Sequence, residues 1–177
     1  MNAEEFVSQI TNDHSEFFQE LLSLLEDHRV LYCVIGGLAV NAYTEPVVSL
    51  DLDLVIVTDK LEELMRILES RFKVTRFPRS INVSSAGSDL RVQIQTDPRY
   101  QAFLARSSRK NVLGHELQVA AIEDVLQGKI WAYADPERRP SKRQKDLADI
   151  LRLIETDLQL KDVLPDDLRS EISRLGF

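Results

Sequence analysis

Two aspartates, Asp51 and Asp53, stand one residue apart in the otherwise apolar stretch "SLDLDLVIV", Ser49–Val57. On a strand, side chains at i and i+2 point to the same face, ~6.5–7 Å apart. Leu50, Leu52, Leu54 and Ile56 then form a buried face, and Asp51 and Asp53, with Ser49 before them, share the opposite one. Carboxylates held that close repel unless water or a cation compensates them. Magnesium prefers carboxylate oxygens and keeps several coordination positions for other ligands, phosphate oxygens among them.

A second feature lies just upstream. The apolar run "VLYCVI", Val30–Ile35, stops at Gly36-Gly37 and is followed by "LAVNAY". Glycines allow a tight turn and a close approach of phosphate to the backbone. The start of the following helix offers free N–H groups and a partial positive charge. The pair matches neither G-x-G-x-x-G nor a P-loop, because no Walker lysine follows. A phosphate cradle next to a metal-binding carboxylate pair suits nucleotidyl transfer from a nucleoside triphosphate.

The elements that must position these residues follow from periodicity. The spacing predicts a helix over Ala3–Asp27, with Phe17, Leu21, Leu22, Leu24 and Leu25 on one face. Strands are expected at Val30–Ile35 and Val47–Val57, with Pro46 closing the loop between. A helix capped by Thr58 or Asp59 runs to about Arg71. "FKVTRF" and "INVSS" read as short extended pieces joined across Pro78. "DLRVQIQTD" alternates: Leu90, Val92 and Ile94 face one way, and Arg91, Gln93 and Gln95 the other. From about Ile122 the period becomes helical, with one helix over "IEDVLQGKIWAYA". A second, over "SKRQKDLADILRLIETD", is capped by Ser141, and a third covers "PDDLRSEISRL". The fold class is therefore α+β. One domain is expected over residues 1–177, a mixed sheet over about 28–120 followed by a helical part over about 121–177.

Composition sets the outer bounds. The chain has 177 residues, 44% hydrophobic and 29% charged, with a net charge of −7. That charge argues against a general nucleic-acid coat protein, though not against a local basic groove. Cys33 is the only cysteine, which excludes an internal disulfide and a cysteine zinc cage. His14, His28 and His115 show no ligand spacing, and His115, beside Gly114, reads as a loop residue. No apolar run is long enough to span a bilayer, and the acidic N-terminal stretch is unlike a secretory signal, so a cytoplasmic protein without membrane contact is expected. Cys33, Trp131 and Tyr133 read as packing residues. Arg138, Arg139, Lys142, Arg143 and Lys145 form a basic island suited to triphosphate or an RNA backbone.

The order strand, Gly36-Gly37, helix and Asp51-x-Asp53 resembles the DNA polymerase beta-like nucleotidyltransferase superfamily. Within it, the sequence is similar to the minimal nucleotidyltransferases and the AbiEii-type toxins of toxin–antitoxin systems. The resemblance implies a nucleotidyltransferase-like mixed sheet flanked by helices. It also implies Mg2+ as cofactor on Asp51 and Asp53, and phosphate contacts at Gly36, Gly37 and Ser49. "IEDVLQGKIWAYADPERR" and "RQKDLADILRLI" resemble the downstream lysine and Lys-Asp helices of that group. By that likeness Lys129 reaches the triphosphate, Arg139 or Arg143 assists, and Lys145 with Asp146 sits near the site. The implied partners are a nucleoside triphosphate, a tRNA or protein acceptor, and a cognate antitoxin.

Two positions depart from the pattern. The superfamily usually adds a third carboxylate from a nearby strand, and the matching stretch here is Val92-Gln93-Ile94. An amide supplies no negative charge and cannot act as a base. Asp89 and Asp97, at the strand ends, are the acids that could replace it. Val47 stands where the AbiEii-like pattern often has arginine. Two readings follow: a magnesium-dependent nucleotidyltransferase that uses Asp51, Asp53 and Lys129, or a nucleotide- or partner-binding protein that does no chemistry. A third is a toxin–antitoxin component that occludes or modifies its partner.

Overall fold

The computed structural model describes residues 15–112 and 114–176. Residues 3–14 of the expected first helix, and His14 with them, lie outside the described residues. What is described of that helix is α1, Ser15–Asp27. Its apolar side is as expected, with Phe17, Leu21, Leu24 and Leu25 buried.

Among the described residues seven strands form one mixed sheet: β1 (Tyr32–Ile35), β2 (Asp51–Ile56), β3 (Lys73–Arg76), β4 (Ser80–Ser84), β5 (Arg91–Gln95), β6 (Ser108–Val112) and β7 (His115–Val119). Their spatial order is β3-β4-β5-β2-β1-β7-β6. The pairs β2–β5 and β1–β7 are parallel, and the other pairs are antiparallel. The helices are α2 (Gly36–Asn41), α3 (Thr58–Arg71), α4 (Ile122–Ala134), α5 (Pro140–Thr156) and α6 (Asp166–Arg174). This is the α+β arrangement expected from the sequence, sheet first and helices after.

Alternation along β2 produces the two-sided strand. Leu52, Leu54 and Ile56 are buried and join one continuous core with Leu64, Met65 and Leu68 of α3 and Leu21 and Leu25 of α1. Val92 and Ile94 of β5 enter the same core beside them. Burying a side chain of this size contributes roughly 1.5–3 kcal/mol, so the leucine face fixes the register. A slip of one residue would drive both aspartates into the core. Among the described residues no helix is long and apolar enough to cross a membrane.

Four local expectations are corrected. Helix α5 begins at Pro140 with Arg139 in the N-cap position, not at a Ser141 cap. Proline tolerates the first helical position because no amide hydrogen is needed there. Likewise α3 begins at Thr58 behind Val57, with no side-chain cap. His115 is no loop residue: it opens β7 and packs edge-on against Phe18 at 4.9 Å. Residues 98–112 and 114–119, to which periodicity assigned no regular element, form a 3-10 segment, Pro98–Arg106, and the paired strands β6 and β7. Asp97 nucleates the 3-10 segment by accepting the Arg99 N–H at 3.0 Å.

Candidate active site

Asp51 and Asp53 point to one side of β2, into a cleft walled by Gly36, Asn82, Arg91, Gln93, Gly128, Lys129, Arg138 and Lys142. Strand β2 supplies the carboxylates, β5 the next row, and α4 with the start of α5 the far wall. Gly36 opens α2 with φ +70°, a left-handed conformation that other residues rarely adopt. A methyl group there would also overlap the Asp53 carboxylate. The glycine is thus required twice, by its backbone and by the aspartate that sits against it. Gly37 lies behind the cleft wall, where an added Cβ would come within 3.2 Å of the Ser49 hydroxyl. Ser49 is itself buried and directs that hydroxyl at the Asp51 carbonyl, 3.4 Å away. It supports the turn from beneath and does not line the cleft.

The two carboxylates differ in environment. Asp51 is partly exposed and ion-paired, to Arg91 Nε at 2.8 Å and Lys142 Nζ at 3.6 Å. Asp53 lies deeper, and burial pushes its carboxyl up to about 6. Lys129 opposes that rise, Asp51 adds to it, and Arg138 and Lys142 oppose it more weakly. A carboxyl so placed gains most from a cation that replaces its lost hydration.

Lys129 reaches the cleft wall, but its ammonium is gripped from behind. It meets Asp146 at 3.2 Å and Asp149 at 2.7 Å, and all three residues are buried. Asp146 also holds Arg138 by two bonds, of 2.8 and 3.2 Å. It lines the cleft, as expected, and there anchors two cations. Arg152 closes this network: it donates to Asp149, to the Asn41 and Thr44 side chains and to the Glu45 carbonyl. Asn41 in turn fixes both the N–H and the C=O of Val47. The loop into β2 is thereby tied to α5.

The basic island divides. Arg138 and Lys142 line the cleft; Arg139, Arg143 and Lys145 do not. Arg139 and Lys145 are exposed, and Arg143 donates to the Asp135 carbonyl at 2.9 Å. Within α5 helix phase explains the division, while Arg138, which precedes the helix, is held to the cleft by Asp146. Lys142, Asp146 and Asp149 recur at i, i+4 and i+7 and share one stripe of α5, a spacing present in the sequence. Arg91 was visible only as a residue on the same strand face as Gln93. Its place against Asp51 comes from the pairing of β5 with β2.

In that pairing Asp51 stands opposite Arg91, Asp53 opposite Gln93 and Val55 opposite Gln95. Gln93 thus faces the cleft beside Asp53, and Asn82 of β4 is next in the row. The two acids that could replace a carboxylate at Gln93 lie elsewhere. Asp97 is bound by the Arg99 guanidinium, which holds its carboxyl below the usual range, and neither it nor Asp89 lines the cleft. Among the described residues no group of three or more histidine, cysteine or acidic side chains is arranged to hold a metal. The donor set fits one hard divalent ion, shared between two carboxylates and phosphate oxygens supplied by a ligand.

No family model and no curated protein sequence matches the chain. Solved structures do. The solution structure of the antibiotic-resistance factor ANT(2'')-Ia superposes with a TM-score of 0.63 at 13% identity, over 94% of this chain and 96% of that one. The lincosamide antibiotic adenylyltransferase LnuA, with lincomycin bound, gives 0.53 at 14% identity over 78% and 97%. An antigenic nucleotidyltransferase-like protein from Paracoccidioides brasiliensis gives 0.52 at 20% identity over 88% and 78%. The chain therefore has the nucleotidyltransferase fold.

Proposed function

We propose that this protein binds a nucleoside triphosphate as its magnesium complex in the Asp51–Asp53 cleft and is a nucleotidyltransferase of restricted catalytic power. The observation that carries the reading is the placement of both aspartates on one strand face, against Gly36, with cationic side chains around them. Asp51 and Asp53 would hold the ion, which when bound neutralises phosphate oxygens and polarises the α-phosphate.

The chain's own groups supply the rest. Gly36 keeps the backbone clear of Asp53, so the triphosphate can approach. Arg91 and Lys142, which balance Asp51 in the free protein, become available to phosphate once Asp51 is otherwise engaged. Lys129, fixed by Asp146 and Asp149, contributes a stationary positive field. Gln93 positions and donates hydrogen bonds, but takes no proton. Beside Asp53 on β5 an attacking hydroxyl meets an amide in place of a carboxylate base, and the other acids that line the cleft, Asp124 and Asp146, are engaged by Arg106 and by Lys129 with Arg138, so transfer to a hydroxyl is slow.

A crystal structure of ANT(2'')-Ia holds adenylyl-2''-tobramycin and LnuA is an adenylyltransferase, which makes ATP the first nucleotide to test. Filter binding of labelled ATP, GTP, CTP and UTP, with and without Mg2+, is the direct experiment. Retention that needs Mg2+ and is lost in Asp51→Asn supports the reading; metal-independent retention contradicts it. Adding total tRNA and cell protein to the same incubation tests the acceptors that belong to a toxin–antitoxin role.

A further inference from the structure

We propose that the groove continuing from Gln93 toward Arg79 and Arg99 is an acceptor site for a phosphate monoester, which is nucleotidylated on its own oxyanion. The proposal rests on the reading above, that the adjoining cleft holds a magnesium nucleotide. The groove shares Gln93, Gln95, Tyr100 and Arg138 with that cleft and adds Arg79, Arg99 and Trp131. It therefore leads away from the aspartates while touching the residue beside Asp53.

Its polar groups are mostly donors. The Gln95 Oε1 accepts the Asp97 N–H at 3.1 Å, which leaves the Gln95 amide NH2 to donate. Burial pushes the Tyr100 phenol up to about 12, so its hydroxyl keeps its proton. Arg99 lies over the Trp131 ring at 4.6 Å and binds Asp97 through Nε and Nη2, so Nη1 is not among the nitrogens Asp97 holds. Arg79 is exposed at the rim. Of the groove's two carboxylates, Asp97 is held by Arg99, which keeps its carboxyl below the usual range, and Asp135, at the end of α4, accepts the Glu137 N–H at 2.9 Å. Neither lines the aspartate cleft.

Such a surface suits an acceptor that arrives already ionised. A phosphate monoester has its second pKa near ~6 and is largely a dianion at neutral pH. Its oxygen forms a bond to the α-phosphorus, and the bond from that phosphorus to the bridging oxygen of the β-phosphate breaks. The pyrophosphate leaves with the electron pair. No proton is removed, so the absence of a base at Gln93 carries no penalty.

The test uses the full chain with Mg2+ and α,β-methylene ATP, whose α–β bridge cannot be cleaved by transfer. Analogues of the other bases are used if filter binding selects one. Nucleotide binding is measured first by calorimetry, and inorganic phosphate is then titrated into the loaded protein. Phosphate is expected to bind, and Arg79→Gln and Arg99→Gln each to weaken it by about tenfold or more. Arg79 is exposed, so its variant keeps the test open if Arg99→Gln disturbs the Asp97 turn. With labelled triphosphate, ribose 5-phosphate is expected to react about a hundredfold faster than ribose. No phosphate binding to nucleotide-loaded protein, phosphate binding indifferent to Arg79→Gln, or ribose reacting as fast as its phosphate would each overturn the proposal. Failure to bind nucleotide at all would instead defeat the reading on which it rests.

Discussion

Gln93 on β5 and Asp53 on β2 are register partners in a parallel pair, so an uncharged amide lies on the sheet face directly beside the half-buried Asp53 carboxylate. A carboxylate at position 93 would add both a third negative ligand and a proton acceptor. Gln93→Asp should therefore raise transfer to hydroxyl acceptors, since general-base catalysis is typically worth about 10²–10⁴-fold. The same change should slow transfer to a phosphate acceptor through charge repulsion. Single-turnover release of labelled pyrophosphate measures both. Rapid transfer to hydroxyls by the parent, unaltered in Gln93→Ala, would show that no base is needed from β5.

Asp53 makes the free protein sensitive to pH. Its folded pKa of about 6 lies above the ordinary 3.8, so the folded state binds the proton more tightly than the unfolded chain. The resulting stability is fully present below about pH 4 and is lost as pH rises through 6. Above pH 6 the fold carries an ionised, poorly solvated carboxylate at a cost on the order of 3 kcal/mol. Asp53→Asn should raise the melting temperature of the nucleotide-free protein at pH 7.5. The gain should shrink as pH falls from 6 toward 4. A gain independent of pH would locate its cause outside the titration of Asp53.

Arg91 competes with any metal for Asp51. Its guanidinium is mostly exposed and sits 2.8 Å from that carboxylate, so removing it threatens little of the core. Arg91→Ala should let Mn2+ bind without nucleotide more tightly than in the parent, while weakening the metal–triphosphate complex. Electron paramagnetic resonance of free Mn2+ reads the first effect directly. An unchanged Mn2+ affinity would mean that the ion does not use Asp51.

How far the sequence carried this account depended on whether a signal was local. Alternation alone placed Asp51 and Asp53 together, put Gln93 on a polar face and buried Leu52, Leu54 and Ile94. The Gly36-Gly37 turn was equally plain, although only Gly36 reaches the cleft. Strand order was not legible, because no local pattern states that β5 pairs in parallel with β2 and brings Arg91 to Asp51. Composition marked the basic island, but helix phase within α5 decided that Lys142 faces the site while Arg143 and Lys145 do not, and Arg138, which precedes the helix, is turned to the site by Asp146. The β6 segment "SRKNV" carries too few apolar residues for periodicity to detect, and its strand forms through pairing with β7.

Lys129 stabilises the fold as well as the site. Replacing it with methionine leaves Asp146 and Asp149 buried with less compensation, and breaking a buried pair in this way typically costs about 3–5 kcal/mol. Urea unfolding of Lys129→Met should show a loss of that order at neutral pH, which Asp149→Asn in the same chain should partly restore. A variant as stable as the parent would show that Arg138 and Arg152 alone balance the two aspartates.

The central claim is that Asp51 and Asp53 together hold the magnesium complex of a nucleoside triphosphate. Thermal unfolding with Mg2+ alone, nucleotide alone and both together tests it most directly, in the parent and in the double variant Asp51→Asn with Asp53→Asn. At ligand about a hundredfold above its dissociation constant, linkage predicts roughly 2.7 kcal/mol of added stability. That gain should appear in the parent only when metal and nucleotide are both present, and should vanish in the double variant. Equal stabilisation of parent and variant, or full stabilisation by nucleotide without metal, would contradict the account.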